Sequence, residues 1–212
     1  MSDTICAVST AAGLGAIAVI RVSGENALPI TDAIFHSVRS NFRLINAKSH
    51  TAHYGKITND QNEILDEVLA TVFRSPNSFT GEDSVEIACH GSLYIQQEIL
   101  KLLLSKGCRM ATHGEFTQRA FANGKMDLSQ AEAIADLIAS QNKASHRLAM
   151  NQMRGGFSRE LITLRDRLLT FTSLVELELD FSDHEELEFA DRRELKSLAQ
   201  EILSKIAALK NS

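Results

Sequence analysis

Two charged residues lie inside segments that otherwise have the composition of buried β-strands. Arg21 follows the apolar run Ala-Ile-Ala-Val-Ile, and Glu86 lies within Ser-Val-Glu-Ile-Ala-Cys. Charged side chains are rarely buried without a partner. Either the two residues form a structural ion pair or face water at a sheet edge, or they line a polar pocket. In such a pocket a guanidinium donates, and a carboxylate accepts, paired hydrogen bonds with a small ligand.

Lys125 is a third candidate, because the chain around it is dense in turn and helix-capping signals. Glu115–Ala122 is predicted to form two helical turns that end at Asn123-Gly124, residues that tolerate left-handed backbone. The pattern Ser129-Gln-Ala-Glu132 predicts a capping box that opens the next helix. The lysine is therefore held from both sides, either as a polar corner of the same pocket or as an ordinary exposed turn lysine.

Other short motifs do not predict a catalytic or metal site. Gly13-Leu-Gly15-Ala-Ile-Ala18 matches the dinucleotide fingerprint, but a strand-like run follows it where a helix is required, so a turn between strands is predicted. The P-loop pattern GxxxxGK[ST] is absent. His50 and His53 lack a third ligand at metal-binding spacing. Cys89 and His90 are adjacent in a predicted strand and point to opposite faces, so they do not form a direct nucleophile–base pair.

The composition is that of an ordinary globular chain, since 44% of its 212 residues are hydrophobic and 23% are charged. No apolar run approaches the roughly 20 residues that span a bilayer, and the first residues do not resemble a secretory signal. We therefore expect a cytoplasmic protein without membrane association.

The charge and the cysteines limit two other functions. The net charge of −5 gives no basic excess, so this chain is not expected to make most of the electrostatic contacts with RNA. Cys6, Cys89 and Cys108 are predicted to be reduced and buried.

The first half of the chain predicts a mainly antiparallel α+β domain, because strand-like runs are separated by turns and only some by helices. The predicted strands are Ile5–Ser9, Ala16–Val22, Tyr54–Thr58, Glu67–Arg74 and Ser84–Cys89. The predicted helices are Ala27–Val38 and Leu93–Leu104.

After Phe116 the strand patterns stop, and three long helices packed side by side are predicted. The second of them follows Gly155-Gly156 and carries a heptad-like apolar seam. The seam consists of Phe157, Leu161, Leu164, Leu168, Phe171 and Val175, and is predicted to form helix-bundle core. A third helix is predicted over Asp191–Leu209, and the acidic run from Glu176 to Glu188 is predicted to be a solvated helix end and loop.

Four segments, spread over nearly the whole chain, carry a family resemblance. They are IRVSG (20–24), SFTGEDSVEIACHG (78–91), GEFTQRAFANGKMDLSQAEAIADLI (114–138) and ELDFSDHEELEF (178–189). In these segments and in their order the chain resembles the MnmE (TrmE) family of tRNA modification GTPases. It departs from the family pattern at Ala11–Ala16, where the family usually has a turn rich in proline and glycine.

The resemblance implies an amino-terminal domain, residues 1–118, similar to folate-dependent one-carbon transferases. It implies that residues 119–212 form the first part of a helical domain. The amino-terminal domain would bind a tetrahydrofolate derivative, 5-formyl- or 5,10-methylene-tetrahydrofolate, and form a homodimer. Carried over by motif, the folate contacts fall on Arg21, Glu86 and Lys125, and no catalytic residue or metal ligand is implied.

The resemblance also implies that a GTPase domain follows these residues and holds GTP, Mg²⁺ and K⁺. We therefore expect the amino-terminal piece of a GTPase that modifies C5 of wobble uridine in tRNA with the flavoprotein MnmG (GidA). One alternative is a dimerisation and partner-docking scaffold without a ligand of its own, favoured by the apolar seam. A stand-alone aminomethyltransferase is disfavoured, because no candidate acid or base stands at a recognised spacing.

Overall fold

The computed structural model describes residues 3–180 and 192–210, and the chain divides into two compact units, 1–126 and 127–212. The first unit combines strands and helices. Its strands are β1 (Ile5–Val8), β2 (Ile17–Ser23), β3 (Phe35–Ser37), β4 (Thr51–Thr58), β5 (Ile64–Phe73), β6 (Ser84–His90) and β7 (Arg109–Met110). Its helices are α1 (Ala27–Ile34), α2 (Leu93–Ser105) and α3 (Glu115–Ala122).

The seven strands form one sheet in the order β3-β4-β5-β6-β2-β1-β7. All neighbours are antiparallel except β1 and β7, which are parallel. The predicted mainly antiparallel α+β domain is therefore confirmed. The turn predicted for the Gly13–Ala18 motif lies in the loop between β1 and β2.

One face of the sheet forms the apolar core with α1 and α2. The strand residues that alternate on this face are fully or almost fully buried, as the period of two in a half-buried strand requires. They include Ile20 and Val22 of β2, Val68, Ala70 and Val72 of β5, and Val85, Ile87 and Cys89 of β6. Ile99 and Leu103 of α2 pack into the same cluster. Burial of each such aliphatic side chain stabilises the fold by roughly 1.5–3 kcal/mol.

The opposite face of β5, β6 and β2, called here the open face, carries the intervening residues in rows. One row runs from Thr71 through Glu86 to Arg21, and the next from Leu69 through Ala88 to Val19. Beyond these rows, Ile17 of β2 pairs with His90, the last residue of β6. Leu69 is 43% exposed and Ile17 is 67% exposed, so this face is only partly covered within the described residues. The open face displays charges and apolar side chains side by side.

Strand pairing overrides three of the sequence-based boundaries in the first unit. The helix predicted over Ala27–Val38 ends at Ile34, because Phe35 is extended, buried and paired with Ile57 of β4. Strands β4 and β5 begin earlier than predicted and pair along most of their length. The two-residue strand β7 was not predicted; it forms because Arg109 and Met110 add to the edge of β1.

The second unit is helical, and its helices in the described part are α4 (Leu128–Ala139), α5 (Lys143–Met153), α6 (Gly156–Asp180) and α7 (Arg192–Lys210). The first of the three predicted long helices is wrong, because it is interrupted at residues 140–142. Asn142 caps α5 by accepting hydrogen bonds from the backbone N–H groups of Ala144 and Ser145. None of the described helices is both long enough and apolar enough to cross a membrane.

The capping box predicted at Ser129 and Glu132 is also wrong, since α4 begins at Leu128. Asp127 is the N-cap: its Oδ1 accepts from the Gln130 amide at 2.9 Å, and Gln130 Oε1 accepts from the Asp127 amide at 2.9 Å. Aspartate is at least as good an N-cap as serine, so the helix begins at the earlier of the two signals.

The apolar seam on α6 is only partly buried. Leu164 is 9% exposed, but Leu161 and Leu168 are 42% and 41% exposed. Among the residues that the structure describes, the seam is therefore core at Leu164 and uncovered at Leu161 and Leu168. The predicted third helix corresponds to α7, and the part of the acidic run within 181–188 lies outside the described residues.

Candidate functional site

Arg21 and Glu86 face each other directly across the β2–β6 pair. The register places them opposite one another, and both Nε and Nη2 of Arg21 donate to Glu86 Oε1, at 3.0 and 2.7 Å. Their side chains are 23% and 29% exposed, so the pair is half-buried on the open face. The ion pair considered from the sequence is formed. Within the described residues Oε2 of Glu86 has no hydrogen-bond donor, so this oxygen remains free to accept one from a ligand.

Two phenyl rings flank the guanidinium. The Arg21 Cζ atom lies 5.0 Å from the ring centroid of Phe79 and 5.5 Å from that of Phe116. Cations at this distance from an aromatic ring are attracted by its quadrupole. The rings limit the orientations open to the guanidinium and surround the ion pair with aromatic surface, on which a flat heterocycle could stack.

Lys125 is tied to the segment that carries Phe79, called here the Phe79 loop (residues 76–82). Its Nζ donates to the carbonyl oxygen of Pro76 at 2.8 Å. Asn123 Nδ2 donates to the carbonyl of Thr80 at 2.7 Å. Gly81 has φ +79°, and a Cβ there would lie 3.2 Å from the Lys125 Cγ. Lys125 therefore makes no hydrogen bond to Arg21 or Glu86, but contacts the loop whose phenyl ring contacts Arg21.

A buried arginine fixes the other end of the Phe79 loop. Arg119 is 1% exposed, and its guanidinium donates to Asp3, Glu82 and Glu115 at distances from 2.8 to 3.2 Å. Glu82 in turn accepts from the Ser23 hydroxyl at 2.9 Å. The network therefore connects the start of β1, the end of β2, the loop and α3 through charge-assisted hydrogen bonds.

Glu115 is held as a carboxylate in this network. Hydrogen bonds donated by the Arg109 guanidinium lower its pKa far below the usual range, and the Thr112 amide and Arg119 add to the effect. Arg109 also donates to Asp3 at 2.7 Å, and its pKa is raised, chiefly by Glu115. Arg109 and Arg119 thus neutralise the carboxylates of Asp3 and Glu115. In the described part of the chain, the buried Nε of Arg119 has no hydrogen-bond partner.

Cys89 and His90 form no hydrogen bond with each other in the part of the chain that the structure describes, since the Cys89 thiol donates to the carbonyl oxygen of Ala18. Cys89 is buried in the core, and burial raises the pKa of its thiol to about 11. His90 is exposed, and its Nδ1 lies 2.6 Å from Oδ1 of Asp66, a carboxylate with only 7% exposure. Oδ2 of the same carboxylate accepts from the backbone N–H of His90 at 2.8 Å. The imidazole is therefore oriented by a buried carboxylate.

The two histidines of the His50–His53 motif do not form a site together. The His53 ring stacks on Phe42 with centroids 4.3 Å apart, and burial, with Arg39, lowers its pKa. His50 contacts the Ser49 hydroxyl and the edge of Phe73. Among residues 3–180 and 192–210, no group of three His, Cys, Asp or Glu side chains is arranged to hold a metal ion.

Family comparisons match both units. The profile described as "GTP-binding protein TrmE N-terminus" matches residues 4–125, and the profile described as "MnmE helical domain" matches residues 128–212. The chain belongs to the TrmE family. The resemblance found in the sequence motifs is confirmed.

Curated TrmE relatives are similar over nearly the whole chain. One from Parabacteroides distasonis is 63% identical over 208 residues, which cover 97% of this chain and 45% of the relative. One from Bacteroides fragilis is 60% identical over 210 residues, 99% of this chain and 44% of the relative. Both are named tRNA modification GTPase MnmE. The chain thus spans about 45% of the length of these relatives.

The candidate residues Arg21, Glu86 and Lys125 all lie within the TrmE amino-terminal match. Arg119 and Asp66 were not singled out from the sequence. A weak signal existed for Arg119, because Glu115 and Arg119 are spaced i,i+4 on a predicted helix. That spacing is typical of an exposed pair and does not predict burial. Asp66 lay in a segment interpreted as a turn.

Proposed function

We propose that this chain is the folate-binding and dimerising part of a GTPase that modifies C5 of wobble uridine in tRNA. The observation that carries the proposal is the match to both TrmE-family profiles in order, together with the Arg21–Glu86 pair within the amino-terminal match. The relatives' name supplies tRNA modification and GTP hydrolysis as properties of the longer protein.

The residues around Arg21 and Glu86 suit a reduced pterin. The carboxylate would accept from the amino group and ring N–H of the pterin, through the oxygen that the ion pair leaves free. The phenyl rings of Phe79 and Phe116 offer stacking surface. Arg21 and Lys125 would donate hydrogen bonds to oxygens of the ring or tail. Bound as 5-formyl- or 5,10-methylene-tetrahydrofolate, the cofactor would supply the one-carbon unit for the uridine.

The rest of the activity belongs to partners and to the remaining length of the protein. GTP, Mg²⁺ and K⁺ would bind the GTPase domain of such a protein, and residues 1–212 do not contain the P-loop pattern GxxxxGK[ST] of that domain. The flavoprotein MnmG and tRNA would complete the cytoplasmic complex. The chain's net charge of −5 agrees with tRNA being held mainly by other parts.

Titration calorimetry with 5-formyltetrahydrofolate tests the folate site. We expect the wild-type chain to bind, and Glu86→Ala to weaken binding by about 1.5–3 kcal/mol, the range for a hydrogen bond to a charged group. Glu63→Ala, which removes an exposed carboxylate at the β4–β5 turn, is the matched control and should leave affinity unchanged. A folded wild-type chain that binds no folate contradicts the proposal. Equal affinities of wild type and Glu86→Ala would remove Glu86 from the site.

A second candidate function is a dimerisation and docking scaffold without its own ligand. The observation that favours it is the exposure of large apolar side chains on α6 and α7. Ile162, Leu169 and Leu203 are 55%, 54% and 66% exposed. Sedimentation measures dimerisation, and calorimetry measures the heat of folate binding. A scaffold without its own ligand would dimerise but give no binding heat with folate.

A further inference from the structure

Residues 35–58, called here the basic edge, carry a positive charge that the proposed folate contacts do not use. They include four Lys or Arg residues and no Asp or Glu, in a chain whose net charge is −5. The four cations are Arg39, Arg43, Lys48 and Lys56. A cationic stretch without acidic residues, within an acidic chain, favours an anionic partner for this part of the surface.

The basic edge lies at one end of the sheet and is fixed to the first unit. It consists of β3, which is the last strand in the sheet order, the connection 38–50, and β4. The buried Asp32 accepts from the backbone N–H of Leu44 at 2.6 Å. The backbone N–H of His50 donates to the carbonyl oxygen of Val72 at 2.7 Å. The cations of the connection are therefore attached to a backbone that the fold holds in place.

Two of the four cations have no carboxylate partner. Arg39 and Lys48 are exposed, and within residues 3–180 and 192–210 neither side chain makes an ion pair or a hydrogen bond. The other two cations are each paired with a carboxylate. An unpaired guanidinium or ammonium group is free to donate to the oxygens of a phosphate.

Arg39 also lines a cavity of about 530 Å³ at this edge. Ser37 and Thr51 line it with hydroxyl groups. Val38 and Tyr54, which are 65% and 52% exposed, line it as well. A nucleotide needs the same groups: a cation for its phosphate, polar partners for its ribose hydroxyls, and aromatic surface for its base.

Lys48 lies beside the same cavity. The Thr51 hydroxyl donates to the carbonyl oxygen of Lys48 at 2.6 Å, so it accepts from Nε2 of His53, at 2.7 Å. Burial and the charge of Arg39 lower the pKa of His53, so this imidazole is neutral near neutral pH. The positive charge next to the cavity therefore comes from the two unpaired cations and not from the histidine.

The carboxylate near the cavity does not neutralise Arg39. The Tyr54 hydroxyl donates to Glu67, which is paired with Lys56 at 3.7 Å. In the strand register Glu67 is level with Lys56, whereas Val38 donates its backbone N–H to the carbonyl of Tyr54. Arg39 follows Val38 away from Glu67, so about three residues of strand, or roughly 10 Å, separate the two charges. Glu67 thus orients the phenol ring and leaves the guanidinium unpaired.

We propose that the basic edge contacts an unpaired stretch of the RNA substrate, with Arg39 and Lys48 on phosphates and Tyr54 stacked on a base. The inference rests on the tRNA of the proposed function and does not depend on the folate site. Unpaired RNA is favoured over a duplex, because a base splayed from a loop can enter a cavity and stack on an aromatic ring. Two phosphate contacts are a small share of the binding of a tRNA, which agrees with the net charge of −5.

Fluorescence anisotropy with a labelled anticodon stem-loop RNA, measured over a series of salt concentrations, tests the contacts. Each phosphate contact to a single strand contributes about 0.7 to the salt slope, or about fivefold in affinity at 0.1 M salt. Arg39→Gln and Lys48→Gln are each expected to show these losses. Tyr54→Leu should weaken binding without changing the slope. Lys101→Gln, which removes an exposed lysine of α2 and the same charge, is the matched control and should change neither.

Two results of this experiment would overturn the inference. One is an equal effect of Arg39→Gln and Lys101→Gln, which would show a response to net charge alone. The other is a wild-type chain that binds no RNA at the lowest salt concentration. Neither result affects the folate site, because calorimetry with 5-formyltetrahydrofolate decides that site separately.

Competition and crosslinking test the class of ligand. A fully paired RNA duplex and free uridine monophosphate are both expected to displace the stem-loop poorly. Displacement by the duplex at equal concentration would overturn the preference for unpaired RNA, and displacement by the monophosphate would reassign the cavity to a free nucleotide. A 4-thiouridine in the loop should crosslink to peptides from residues 35–58. Crosslinks confined to other peptides would contradict the proposal.

Discussion

The two units of the chain differ in how completely they bury their apolar and charged side chains. In the first unit, aliphatic residues from the sheet, α1 and α2 are fully buried, and a buried arginine is enclosed by carboxylates. In the described part of the second unit, the helices leave leucines of α6 and α7 exposed, and the ion pair between Arg167 and Glu201 is half-exposed. The first unit therefore has a core of its own. We propose that the second is covered further by other parts of a TrmE-family protein.

The largest expected difference between the units concerns a buried charge. Arg119→Met removes a guanidinium of 1% exposure and leaves Glu82 and Glu115 short of their partner. Removing one partner of a buried ion pair costs about 3–5 kcal/mol. Arg167→Met in α6 removes a half-exposed partner of Glu201 and is expected to cost at most about 1 kcal/mol. Urea denaturation of the two variants measures the difference, and equal losses would contradict the comparison.

A cavity in the core should have a smaller but still clear effect. Ile87 is fully buried, and Ile87→Ala is expected to reduce the free energy of unfolding by about 2–5 kcal/mol. Leu168→Ala deletes a similar volume from a side chain that is 41% exposed, so its effect should be well below that of Ile87→Ala. Denaturation followed by far-UV circular dichroism measures both. A larger loss for Leu168→Ala would show that the seam on α6 is covered in solution, for example by a second copy.

The same contrast separates what the sequence could predict from what it could not. The sheet of the first unit was predictable, because alternation within each strand reports which face is buried. The sequence allowed an ion pair between Arg21 and Glu86, but it could not distinguish that pair from two residues that face water or line a pocket. Whether two strand charges meet depends on the register between strands 65 positions apart, and no local pattern specifies it. Arg119 donates to Asp3, 116 positions away, and no local pattern predicts that contact either.

The helical unit was harder to predict, for a different reason. Its helix boundaries depend on side-chain caps that compete over a few residues. Asp127, rather than Ser129, is the N-cap of α4. Asn142 begins a new helix, α5, where the periodicity alone predicts one continuous helix. The pattern on α6 correctly predicts an apolar helix face. It cannot predict which chain segment covers that face, because an apolar stripe fits any complementary partner.

The smallest expected effect tests the helix start itself. Asp127→Ala removes the N-cap of α4 and the hydrogen bond from the Ser158 hydroxyl, and is expected to cost about 1 kcal/mol. Ser129→Ala, at the position that the sequence favoured, is the control and should cost almost nothing. Amide hydrogen exchange along α4 measures the local loss. A larger effect of Ser129→Ala would restore the sequence-based cap.

Acid titration provides a second measurement of the same cap. Hydrogen bonds from the Ser158 hydroxyl and then from the Gln130 amide lower the pKa of Asp127 below its ordinary value of 3.8. Because the folded-state pKa is the lower one, the carboxylate's contribution is fully present above about pH 4 and is lost as the pH falls below 3.8. The stability difference between wild type and Asp127→Ala should therefore shrink on acidification. A difference that stays constant down to the acid transition would mean that the charge of Asp127 does not contribute to the cap.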